Sequence, residues 1–78
     1  MKVPVLHYRE VVKALEKAGF VIVGGKDGSH LRLKKEKTSL NDPVRIVIVP
    51  RHTEIARGLL HNIIERSGLT LEEFLKLL

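Results

Sequence analysis

The chain contains no cysteine and no tryptophan, and its aromatic rings other than histidine are those of Tyr8, Phe20 and Phe74. Without cysteine there is no disulfide staple, no thiolate nucleophile and no zinc site of the cysteine type. With so few rings, a stacking platform for single-stranded bases is disfavoured, because such a platform takes several exposed aromatics on one sheet. No apolar run approaches the roughly 18 residues that a membrane helix needs, and no signal-peptide pattern follows Met1. The expected compartment is therefore the cytoplasm, with no membrane partner.

What is present is a short, basic, aliphatic chain. Its 78 residues are expected to form a single domain, residues 1–78, in a size range where one core of Leu, Ile and Val barely suffices. The formal net charge is +5, and the excess sits in the middle. There Lys26, Arg32, Lys34, Lys35, Lys37, Arg45, Arg51 and Arg57 face only Asp27, Glu36, Asp42 and Glu54. Such a block favours a polyanion through counterion release, although a solvated strand-and-loop surface explains the same charges.

Periodicity orders the elements. Val11, Val12, Leu15 and Ala18 form the apolar stripe of a helix over about Tyr8 to Ala18, with Pro4 kept outside it and Gly19 as its stop. Phe20 to Val23 reads as a strand, and Asp27-Gly28 as a two-residue hairpin turn pairing Lys26 with Ser29 and placing Gly25 opposite His30. A longer loop using Gly24 and Gly25 would shift that register. The second strand covers Ser29 to Lys35, and a polar loop from Glu36 to Pro43 carries the turn marker Asn41-Asp42-Pro43. A third strand spans Val44 to Val49 and ends at Pro50; with Arg45 outward, Ile46 and Ile48 would point to the helices. A second helix runs from about Arg57 to Ser67 on Leu59, Leu60, Ile63 and Ile64, and Gly68 ends it. A short helix then starts at the capping box Thr70-x-x-Glu73, with Leu69 stapled onto Phe74. The order α-β-β-β-α with a short C-terminal helix makes an α+β fold, a three-stranded antiparallel sheet with two helices on one face.

The stretch that suggests chemistry is Gly28-Ser29-His30, running into the alternating Leu31-Arg32-Leu33-Lys34. On a strand, Leu31 and Leu33 turn inward while His30, Arg32 and Lys34 share the open face. A histidine at the head of a row of cations can move a proton beside a bound phosphate, since its ordinary pKa of about 6.5 leaves both forms available near neutrality. Taken alone, such a histidine is more often an ordinary surface residue. Of the other histidines, His7 and His61 read as surface residues, and His52 either carries a second proton or satisfies backbone groups in the strand-to-helix turn. No pair has the helical i, i+4 spacing of a metal site, so no metal or small-molecule cofactor is expected.

Taken in order, several segments resemble the HicA (YcfA-like) mRNA interferase toxins of type II toxin–antitoxin systems. They are Leu15-Glu16-Lys17-Ala18-Gly19-Phe20, Gly28-Ser29-His30, Val47 to His52, Gly58-Leu59-Leu60, Ile63-Ile64 and Gly68-Leu69. The chain departs from the family where Asp27 replaces a residue that is often basic, with Lys26 before it, and where Leu31 replaces a frequent second histidine. The resemblance implies a fold like the double-stranded-RNA-binding domain, a metal-independent endoribonuclease acting on mRNA, and a HicB-type antitoxin covering the active face. It places the catalytic histidine at His30. Ser29, Lys26, Arg32, Lys34 and Arg45 are the candidates for positioning it or holding substrate. Gly58 is expected to allow close backbone approach, either to another element or to a phosphate at the helix N-terminus, and Lys35, Lys37 and Arg51 either extend an RNA track or are solvated charges. Competing readings are a non-catalytic RNA-binding module of the same fold and a pure interaction protein.

Overall fold

The structure is a computed structural model and describes residues 4–36 and 43–78. The elements follow the expected order: α1 (Tyr8–Lys17), β1 (Val21–Gly24), β2 (His30–Lys35), β3 (Arg45–Pro50), α2 (Arg57–Ser67) and α3 (Leu71–Lys76). The strands form an antiparallel sheet in the order β1-β2-β3. The Asn41-Asp42-Pro43 turn marker falls largely outside the described residues.

Local signals set the helix ends. The Thr70 hydroxyl accepts the Glu73 N–H while the Glu73 carboxylate accepts the Thr70 N–H, as the capping box requires. The α1 start uses the same reciprocal arrangement with an imidazole: His7 Nδ1 accepts the Arg9 N–H, and Glu10 accepts the His7 N–H at 3.1 Å. His7 is thus a helix cap rather than a plain surface residue. Its signal was the spacing His7-x-x-Glu10, hidden because histidine is seldom a cap. Just ahead of it, Leu6 pairs with Ile55, tying the entry of α1 to the entry of α2.

One face of the sheet carries Leu31, Leu33, Val47 and Val49, buried against Val11 and Leu15 of α1 and Leu60 and Ile63 of α2. Phe20, Phe74 and Ile55 are buried in the same core. This arrangement reverses the expected parity of β3. Ile46 and Ile48 are exposed by 50% and 44%, while Val47 and Val49 are fully buried. The cause is the pairing Leu31↔Val49 and Leu33↔Val47: residues opposed across a ladder share a face, so the inward leucines of β2 dictate which β3 residues turn inward. Arg45, opposite Lys35, consequently lies on the helix side, where its guanidinium packs so closely on Gly68 that a Cβ there would overlap it.

The β1–β2 connection also differs from the expected two-residue turn. Positive φ among the described residues falls on Gly19, Gly25 and Gly68, not on Asp27 or Gly28. A five-residue loop, Gly25 to Ser29, closes with the Gly28 N–H donating to the Gly25 carbonyl at 3.1 Å. Val21 pairs with Lys34 and Ile22 with Leu33, but an irregularity then places Gly24 against Arg32. Lys26 and Ser29 therefore do not pair. A two-residue turn needs positive φ at both Asp27 and Gly28; here the positive φ, +80°, falls on Gly25, whose backbone lies directly against the His30 carbonyl.

Candidate active site

His30 opens β2 at the mouth of that loop, and its ring is exposed on the sheet face opposite the helices. The Ser29 hydroxyl lies 2.9 Å from His30 Nδ1. That contact fixes the ring and leaves Nε2 as the nitrogen with no protein partner among the described residues. The peptide on either side is held by β3: the Arg51 N–H donates to the Ser29 carbonyl at 2.8 Å, one step beyond the pairing of His30 with Pro50.

Arg51 secures the loop a second time. Its guanidinium donates to the Lys26 carbonyl and, at 3.4 Å, to the Gly25 carbonyl. Its Nε is buried with no protein partner among the described residues. The side chain is half-buried and turned onto the loop, so neither an outward RNA track nor a freely solvated charge describes it. The charge also reaches Tyr8, whose phenol lies below its ordinary value of 10.0 mainly through a hydrogen bond to Arg9, with Arg51 adding to the effect.

The remaining candidates divide between the two faces. Arg32 and Lys34 share the open face with His30, as expected from the alternation. Arg32 lies across Gly24, where a Cβ would come within 3.8 Å of its guanidinium. Lys34 pairs with Glu36 at 3.1 Å, a partly exposed ion pair of small energetic worth. Arg45 and Lys35 belong to the opposite side, Lys35 with its ammonium 6.0 Å from the centre of the Phe20 ring. Arg45 is therefore not brought together with His30. Lys26 is exposed on the loop, held through its backbone rather than its ammonium.

The open face is not flat. Along β3 it meets α2 and forms a cleft of about 470 Å³ that begins at His30 and Pro50. Ile46, Ile48 and Leu59 give it apolar walls, and Asn62 and Arg66 stand at its α2 side. His52 lines the same cleft, with its backbone fixed by Tyr8 N–H donation to its carbonyl at 3.0 Å. Asn62 and Arg66 do not stand out in the sequence, although their i, i+4 spacing puts them on one face of α2. Nothing in that spacing shows that the face would border the histidine. No three His, Asp or Glu side chains gather into a metal-binding group among the described residues.

Residues 8–69 match the family model of the HicA toxin of bacterial toxin–antitoxin systems. The chain belongs to the HicA toxin family. No curated protein matches it. The matched span runs from the start of α1 through α2 and includes the loop, His30 and the cleft, while α3 lies beyond it. Family membership makes the protein a toxin-type component and implies an antitoxin partner. In this HicA chain no helix among the described residues is long and apolar enough to cross a membrane.

Proposed function

We propose that this HicA-family protein is a metal-independent endoribonuclease that cleaves mRNA, with His30 as its catalytic residue and a HicB-type antitoxin as its inhibitor. The observation that carries the reading is the Ser29–His30 pair: an exposed imidazole, held by one ring nitrogen, on a face shared with Arg32 and Lys34.

RNA supplies its own nucleophile. His30 Nε2 takes the proton of a 2′-hydroxyl as that oxygen attacks the adjacent phosphorus. The bond to the 5′-oxygen breaks, leaving a 2′,3′-cyclic phosphate and a 5′-hydroxyl. The departing oxygen needs a proton, and His52, lining the same cleft, is the candidate donor. Acid–base groups of this kind supply roughly a hundred- to ten-thousand-fold in rate. Arg32 balances the charge that builds on the phosphoryl oxygens. Lys26 and Lys34 draw the polyanion to the face, Lys34 less strongly because Glu36 accompanies it. So small a catalytic set implies a slow enzyme.

The test is induction of the wild type and His30→Ala in cells, followed by growth and RNA integrity, with purified protein assayed in chelator. Growth arrest and chelator-insensitive cleavage that disappear in His30→Ala support the reading. RNA binding without cleavage by the wild type would favour the non-catalytic RNA-binding alternative.

A further inference from the structure

We infer that the cleft between β3 and α2 seats the nucleoside next to the scissile phosphate, with Asn62 contacting the base edge and Arg66 the following phosphate. This deepens the ribonuclease reading, on which it rests.

The cleft starts at His30, so a ribose–phosphate placed at Nε2 has its neighbouring base directed either into this space or into solvent. Its volume of about 470 Å³ lies within the roughly 300–1,000 Å³ of small-ligand sites. The walls suit a base: Ile46, Ile48 and Leu59 offer apolar surface to a ring face. The register that turns Val47 and Val49 inward leaves Ile46 and Ile48 exposed by half and by 44%, so their apolar surface is available to a ligand. The polar groups at the α2 side are of the right kinds. Asn62 presents both a donor and an acceptor, as base-edge recognition needs, and Arg66 presents a planar cationic fork suited to phosphate. Neither side chain has a protein partner among the described residues. Among the described residues no acidic side chain lines this cleft; Glu65 joins Asn62 and Arg66 in the neighbouring recess. A single apolar seat beside a cationic face also explains how a chain poor in aromatics holds RNA without a stacking platform.

The experiment uses full-length His30→Ala protein and four single-stranded RNA hexamers, one of each base, with wild-type cleavage measured in parallel. Arg66→Gln is expected to weaken binding of all four about tenfold and to lower the salt slope by about 0.7. Asn62→Ala is expected to bring the four affinities together with little change in salt slope. Folded variants whose affinities match those of the parent would overturn the inference, as would variants that lose antitoxin binding while keeping RNA binding. Should the wild type fail to cleave while Arg66→Gln and Asn62→Ala shift affinity as expected, the nucleoside seat stands and the nuclease reading falls. Cleavage that depends on His30 beside unchanged variant affinities does the reverse: the nuclease reading stands and the seat falls.

Discussion

The Ser29 hydroxyl and His30 Nδ1 are 2.9 Å apart, so neighbouring residues in the chain form a preset pair in which one side chain orients the other. Ser29→Ala removes one hydrogen bond without disturbing the core. The net worth of such a bond is about 0.5–1.5 kcal/mol, which converts to roughly a two- to tenfold fall in cleavage rate. Ser29→Thr keeps the hydroxyl and should retain most of the rate. Single-turnover cleavage of a defined RNA by the two variants measures the difference; equal rates for Ala and Thr would remove Ser29 from the site.

Gly25 couples the loop's shape to the histidine. A side chain at this position would meet positive φ and overlap the His30 carbonyl together. Gly25→Ala should destabilise the fold by about 1–3 kcal/mol and displace the start of β2. Urea unfolding gives the stability change. Gly58 makes a useful contrast, since a Cβ there meets nothing within 4 Å, and Gly58→Ala is expected to be neutral or mildly stabilising. Close packing at Gly58, expected from the sequence, is not what the structure shows.

Arg51 ties the same loop to the end of β3 through the Gly25 and Lys26 carbonyls. Arg51→Met keeps much of the aliphatic bulk but removes the donors. Faster amide exchange is expected in residues 25–29, with the β2–β3 ladder unchanged. Uniform protection in the variant would show that the loop holds its form without the guanidinium.

The reversed parity of β3 is testable by paired substitutions. Val47→Ser leaves a cavity and buries a hydroxyl among Leu33 and its neighbours, and should cost about 2–4 kcal/mol. Ile48→Ser, on the open face, should cost less than about 1 kcal/mol. Denaturant midpoints for the two rank them directly, and the reverse ranking would restore the inward Ile48.

Glu73 provides a pH dependence of known sign. Hydrogen bonds from the Thr70 backbone and then its side chain hold its carboxyl below the ordinary glutamate value of 4.5. A depressed folded value means that the contribution is present above the unfolded value and fades as pH falls through the folded one. Acidification below about 4.5 should therefore loosen α3 first, and the effect should vanish in Glu73→Gln. Helix content of the C-terminal segment, followed by carbon chemical shifts across the titration, reports it.

The order of elements, the ends of α2, the Thr70–Glu73 cap and the strict alternation that brings His30, Arg32 and Lys34 to one face were all legible in the residues themselves. Each depends on positions a few apart, where chain geometry alone relates them. The face of β3 was different. Val44-Arg45-Ile46-Val47-Ile48-Val49 is apolar almost throughout, so no alternation marks an inside, and only pairing with Leu31 and Leu33 across the ladder decides it. That choice moved Arg45 away from the histidine and left Ile46 and Ile48 to line the cleft. The clamp of Arg51 on the loop and the cleft that Asn62 and Arg66 line together with His30 join residues from separate elements. Only the packing of those elements against a common core brings them within reach.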